Sequence, residues 1–287
     1  RLALTLSQRQ ALPEIIGRIL AAREVGLDNV NNFLNPKLKD SLPNPSSFKD
    51  MDIAAHQIMQ AIMNNKKIMI FGDYDVDGAT SSALWARYLS YIGVLAGIYI
   101  PDRFIEGYGP NIEAITKIQK DGTDLLLIVD CGTTAFEALE KADELNLKVI
   151  VIDHHEPEVI LPKATALINP KRLDEKANKY KYLAAVGLCF ICIVALNRLL
   201  RQNNWFSKKF EEPNLFSLLD LVALGTICDI VPLTDLNRSF VYQGLKIMAL
   251  RTNIGLKAIS DLAAIDEAPS TYHAGFIIGP RINAGGR

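Results

Sequence analysis

The feature that most restricts this chain is a strand signal that ends in charge. Residues 67–84 read KIMIFGDYDVDGATSSAL, so four apolar residues, Ile68 to Phe71, run directly into Asp73, Asp75 and Asp77. A continuous apolar run of this kind suits a strand covered on both faces, as in a parallel sheet. Three like charges at its mouth repel one another, which is costly unless a cation sits among them.

The sequence that follows alternates in the same way. KIMIF, AGIYI, DLLLIVD and LKVIVID read as strands, and GATSSALWARYLSYIG, NIEAITKIQKDG and TTAFEALEKADELN read as helices. The alternation predicts an α/β fold, a parallel sheet flanked by helices, with ligands beyond the carboxyl ends of the strands. Residues 1–50 predict a short helical segment, in which LPEIIGRILAAREVG has helical spacing and NPKLKDSLPNPSSF is a surface loop. Residues 51–287 form the main domain. It opens on a helix over 52–64 and becomes mainly helical after Leu183, where the strand signals stop.

Asp73, Asp75 and Asp77 end the first predicted strand, Asp130 the third, and Asp153, His154 and His155 the fourth. Asp229 follows an apolar helix in ALGTICDIVPL. A single aspartate after a strand is ordinarily a turn former or helix cap, and Asp77-Gly78 before a helix fits that role. Three acids at alternate positions, with Asp130 and a histidine pair on the same edge, are not explained by capping. Carboxylate and imidazole without thiolate suit Mn²⁺ or Mg²⁺. A cluster this dense suits two ions, the arrangement used in phosphoryl displacement. The D-x-D-x-D-G run is not an EF-hand loop, since Leu84 stands where the closing Glu belongs and a strand precedes it. A haloacid-dehalogenase motif conflicts with Ala79 and leaves the two histidines unused.

A net charge of −1 excludes a general nucleic-acid coat but is compatible with a local basic groove. Cys131, Cys189, Cys192 and Cys228 lie in or beside apolar runs with no zinc-ligand pairing, as expected of reduced thiols in the cytoplasm. No signal-peptide pattern is present, and the longest uncharged apolar run, 183–196, is short for a membrane span. The chain begins at Arg1 and stops on GPRINAGGR, as expected of a piece of a longer protein. NPKRLDEKANKYKY clusters Lys171, Arg172, Lys176, Lys179 and Lys181 with Tyr180 and Tyr182. It reads first as a solvated loop and second as a path for a single strand. His56 and His273 fall on helical segments and read as packing or surface residues.

GDYDVDG, VDCGTT, DHH and GTICDIVPL, in this order, resemble the DHH phosphoesterases. LAAREV, FLNP, MDIAAHQIMQAI, IPDRFIEGYG and GPRINAGGR narrow the resemblance to the bacterial RecJ-type exonucleases, over nearly the whole chain. The resemblance implies two-metal, 5′→3′ hydrolysis of single-stranded DNA in cytoplasmic repair and recombination, beside partners such as a single-strand-binding protein or a helicase. It implies that Asp75 and Asp77 bind different ions and that Asp130 bridges them. His154 and Asp229 would complete the shell of the ion held by Asp77, and His155 would contact the scissile phosphate. Asp73 matches the acidic motif, and Arg103, Arg281, Asn283 and Arg287 match phosphate contacts. Phe71 stands where some members have a ligating histidine, so the resemblance gives Asp73 that place or leaves one ion more weakly held. The family continues into a second domain and an OB-fold that this sequence lacks. Two alternatives are a small-substrate DHH phosphodiesterase or pyrophosphatase, and a non-catalytic replication scaffold on the same fold. The N-terminal segment and GPRINAGGR argue against the first, and the complete set of acids with His154 argues against the second.

Overall fold

The structure is a computed structural model that describes residues 1–176, 178–207 and 210–286. Among the described residues five strands form one sheet: β1 (Ile68–Gly72), β2 (Ala96–Tyr99), β3 (Leu125–Val129), β4 (Lys148–Ile152) and β5 (Ala166–Ile168). Their order is β2-β1-β3-β4-β5 and every pairing is parallel. The chain moves from β1 outward to β2, then returns past β1 to place β3 on its other side. That reversal opens a crevice at the carboxyl ends of β1 and β3, where ligands of open α/β sheets bind.

Register decides what stands at that edge. Gly72 lies opposite Val129, Val129 opposite Ile152, and Ile152 opposite Ile168. The next residues, Asp73, Asp130, Asp153 and Asn169, therefore leave the sheet at one level. β5 is not among the strands the sequence predicts. It is three residues long, and residues 153–165 reach it without a helix, so it carries no alternation signal.

Side chains alternate between two covered faces, as the strand period requires. On one face Ile70, Leu127, Val129, Ile150 and Ile152 pack against the helices Met51–Met63, Val76–Tyr91, Ala185–Gln202 and Leu219–Cys228. On the other, Phe71, Leu126, Ile128, Val149 and Val151 pack against Ile112–Lys120 and Phe136–Glu144. The helix Ala185–Gln202 is long and apolar enough to cross a membrane by length and composition, yet it is mostly buried as the core helix of the first face.

Residues 1–50 hold the helices Leu2–Arg9 and Glu14–Ala22, so the predicted helix is shorter than its apolar pattern and another precedes it. Leu6, Leu20, Val25 and Val30 form a small cluster of their own. The segment is stitched to the helix Asp235–Ala249: Arg238 Nε donates to Phe33 O at 2.6 Å and Gln243 Nε2 to Pro36 O at 3.0 Å.

Asp235–Ala249 crosses Leu219–Cys228 at Gly244, where a Cβ would lie 2.1 Å from Leu219 O and 2.5 Å from Ala223 Cβ. No side chain fits without moving a helix that carries Asp229 at its end. Gly244→Ala is expected to lower the unfolding free energy by about 1–3 kcal/mol through overpacking, measured by urea denaturation. A change under about 0.5 kcal/mol, the scale of a surface substitution, would show that this crossing tolerates separation.

Candidate metal centre

The loop after β1 turns at once into the helix Val76–Tyr91. Asp75 is its N-cap and accepts from Gly78 N at 3.0 Å. The helix thus begins earlier than the sequence predicts, and Asp77 lies inside its first turn. Asp77 is buried, and its two oxygens accept from Ala185 N at 2.6 Å and Val186 N at 2.9 Å. These are opening amides of Ala185–Gln202, so Asp77 sits among two helix N-termini, where a carboxylate is favoured.

Asp130 turns the chain away from β3 in the left-handed region, at φ 61°, a conformation that Asp tolerates. Its N–H still extends the ladder to Ile152 O at 3.0 Å. Asp229 arrives from a distant part of the chain as the C-cap of Leu219–Cys228. One turn earlier, Gly225 lets that helix close in: a Cβ there would meet Thr80 Oγ1 at 2.3 Å and Asp77 Oδ1 at 3.0 Å. A carboxylate at a helix C-terminus opposes the dipole. The following residue, Ile230, is held at φ 60°, an outlier for a β-branched side chain.

These elements bring the acids and imidazoles together. Ligand atoms of Asp77, His154 and Asp229 lie within 4.8 Å of one another, as do those of Asp73, Asp75 and Asp130, and those of Asp130, His154 and His155. His154 Nε2 stands 3.3 Å from Asp130 Oδ1, 3.5 Å from Asp229 Oδ2 and 3.8 Å from Asp77 Oδ2. Asp73 Oδ1, Asp130 Oδ1, Asp229 Oδ2 and His154 Nε2 are buried without a hydrogen-bond partner. Buried polar atoms are normally paired, and four unpaired ones spread over these overlapping groups fit cations.

The proton affinities follow. Burial, and then the charge of Asp75, raise Asp73 and Asp229 to about 6. Burial and neighbouring carboxylates push Asp77 and Asp130 well above the usual range, against the amides that hold Asp77. Burial, then the charge of His155, pull His154 down to about 4. His155 moves up through its hydrogen bond to Asp153. Burial would raise Asp153, but bonds from His155 and Thr133 overcome it and hold that carboxyl below the usual range.

Beside the cluster opens a cleft of about 450 Å³ lined by Asp73, Tyr74, Asp75, Arg103, Tyr108, His155 and Asn283. The Arg103 guanidinium lies 5.1 Å over the Tyr74 ring. A larger concavity of about 600 Å³ lies at the amino ends of the strands, around Lys66, Asp124, Asn146 and Lys148, away from these acids. Among the four predicted phosphate contacts, Arg103 and Asn283 line the cleft. Arg281 does not; its Nη1 donates to Ile277 O at 2.7 Å within its own helix. Arg287 lies outside the described residues.

Arg172 is no part of a strand path. It is buried, donating to Asp50 Oδ2 at 2.7 Å, Leu167 O at 2.6 Å and Asp174 Oδ1 at 2.6 Å. His56 is exposed on a helix, and His273 accepts from Ser270 N at 3.1 Å. Phe71 stacks on Tyr99 with centroids 5.5 Å apart, on the face away from Val76–Tyr91. Sequence spacing gives no role to Tyr74, Tyr108, Thr133 or Asn169. Strand register would have pointed to Asn169, had β5 been legible.

Residues 67–226 match the DHH family, N-terminal domain. The chain is 40% identical over 238 residues to the single-stranded-DNA-specific exonuclease RecJ of Dickeya dadantii, covering 82% of this chain and 41% of that protein. It is 37% identical over 287 residues to the protein of the same name from Bacillus subtilis, covering 99% of this chain and 34% of that one. The chain spans between about a third and half the length of the curated relatives it matches. Among solved structures, RecJ in complex with Mn²⁺ from Thermus thermophilus superposes with a TM-score of 0.78 at 26% identity, covering 99% of this chain and 38% of that one. Exonuclease RecJ bound to manganese gives 0.72 at 31% identity, covering 83% and 58%. With the sheet, the acids at its strand ends and the histidine pair inside the matched residues, and Asp229 just beyond them, this chain belongs to the DHH family.

Proposed function

We propose that this chain is the catalytic part of a divalent-metal-dependent exonuclease that hydrolyses phosphodiester bonds of single-stranded DNA from the 5′ end, in repair and recombination. The observation that carries this is the convergence of Asp73, Asp130, Asp229 and His154 atoms, buried and unpaired, at the switch point of the sheet. The relatives named as single-stranded-DNA-specific exonucleases, and the RecJ structures holding Mn²⁺ and Mg²⁺, support both substrate and metal.

In this assignment Asp77, His154 and Asp229 would hold one ion, Asp73 and Asp75 the other, and Asp130 both. Two divalent ions supply an activated water and neutralise charge on the phosphoryl group. Asp77 keeps its orientation because two backbone amides hold it. His155, beside the cleft, and Arg103 above Tyr74 would offset the charge that grows on the phosphoryl oxygens. Asn283 would orient the phosphate, and Tyr74 and Tyr108 offer ring faces to unpaired bases. Residues 51–287 form the catalytic unit, and 1–50 are a helical segment anchored on Asp235–Ala249. A cytoplasmic setting suits the four free cysteines.

Asp130→Asn keeps a residue that tolerates the left-handed turn and removes the shared charge. Release of labelled nucleotide from a 5′-labelled single strand with Mn²⁺ is expected to fall at least about a hundredfold, the scale of losing one charge-stabilising group. The melting temperature in chelator should hold or rise, since one buried like charge is gone. Wild-type rates in the variant would exclude the assignment, and cleavage of dinucleotides in preference to long strands would redirect it to a small-substrate enzyme.

A carboxyl with a raised pKa binds a proton in the folded state that the unfolded chain has released. Without a cation, stability is therefore present near pH 4 and lost as pH rises through the folded values, about 6 for Asp73 and Asp229. His154, lowered to about 4, opposes this below pH 6.5, because the unfolded ring takes up a proton that the folded ring refuses. Four carboxyls outweigh one imidazole. The Mn²⁺-induced rise in melting temperature is expected to be larger at about pH 7.5 than at about pH 5, as ions displace protons from these groups. Equal rises at the two pH values would mean that the acids do not share the ion.

A further inference from the structure

We propose that Asp153 is a positioning residue that fixes the His155 ring with Nδ1–H on its carboxylate and Nε2 turned to the cleft. Thr133 and Asn169 hold the two in that arrangement. Its activity test rests on the nuclease assignment; its spectroscopic test does not.

Asp153 leaves β4 level with Asp73 and Asp130 and is as deeply buried as they are. Its carboxylate differs from theirs in having no free oxygen. Oδ2 accepts from Thr133 N at 2.9 Å. Oδ1 accepts from His154 N at 2.7 Å, from His155 N at 3.2 Å and from His155 Nδ1 at 2.7 Å. It belongs to none of the described clusters with ligand spacing, because its charge is already committed to protein donors.

Asn169, fully buried at the end of β5, closes the network. Its Nδ2 donates to His155 O at 2.8 Å and to Thr133 Oγ1 at 3.0 Å, and its Oδ1 accepts from Lys171 N at 2.9 Å. Both the backbone and the ring of His155 are thus held from the sheet edge. The ring needs this, since 47% of the side chain is exposed and packing alone would leave it free to rotate. A buried carboxylate on Nδ1 fixes tautomer and direction together. Nε2 is then the ring nitrogen left for a ligand, 3.4 Å from Tyr108 Oη at the cleft.

The primary test uses the unaltered chain, labelled with ¹⁵N-histidine, in chelator at a pH where the rings are neutral. His155, assigned by the signals lost in His155→Gln, is expected as the Nδ1–H tautomer; the Nε2–H tautomer, or rapid averaging of both, would overturn the proposal. The second test is Asp153→Asn. Its amide keeps an oxygen toward His155 and turns NH₂ against Thr133 N, so the hold weakens. With Mn²⁺ and single-stranded DNA, kcat is expected to fall about tenfold to a hundredfold, the range for partners that orient a site residue, with KM nearly unchanged. A wild-type kcat would overturn the proposal, and if the variant does not fold, the tautomer of the unaltered chain decides. An unaltered chain that cuts no DNA would refute the nuclease assignment and leave the tautomer test standing.

Discussion

Carboxylates of Asp73, Asp75, Asp77, Asp130 and Asp229 share one end of the sheet, and several of them are withdrawn from water. Removing an ionised carboxylate from water costs several kcal/mol when nothing compensates it. The protein compensates only some. Asp77 receives two helix amides and Asp153 receives four donors, whereas Asp73, Asp130 and Asp229 each keep a buried oxygen without a partner. The raised proton affinities of these acids express the same deficit. A divalent cation among these oxygens would remove it.

The sheet makes that concentration of charge possible. The helices that follow β1 and β3 lie on opposite faces of the sheet and leave room at the carboxyl ends of these strands, and level register brings Asp73, Asp130 and Asp153 out side by side. Rigid neighbours then set the spacing. Ala185–Gln202 presents its first amides to Asp77, and Leu219–Cys228 reaches the site because Gly225 and Gly244 allow close helix contacts. Ile230, held in a conformation that a β-branched residue resists, is the local cost of turning the chain immediately after Asp229.

Much of this was legible in the sequence. Apolar runs ending in acid located β1, β3 and β4, and alternation gave a parallel sheet. What could not be read were features that depend on distant backbone. Asp77 looks like a residue ahead of a helix, because nothing local shows that Asp75 takes the cap. β5 is too short to show a period. Arg172 looks like part of a basic loop, yet its guanidinium is occupied by Asp50, Asp174 and the Leu167 carbonyl.

The acids at the strand ends show why chemistry cannot be assigned from residue type alone. Asp130 and Asp153 follow adjacent strands, at the same level, with the same burial. They differ in the number of N–H groups aimed at them, which is a property of the loops that follow. The loop after β3 turns through a left-handed Asp130 and directs the Thr133 amide to Asp153. The loop after β4 folds two amides and an imidazole back on that same carboxylate. Asp130 thereby keeps an unpaired buried oxygen, while both oxygens of Asp153 are taken by protein donors.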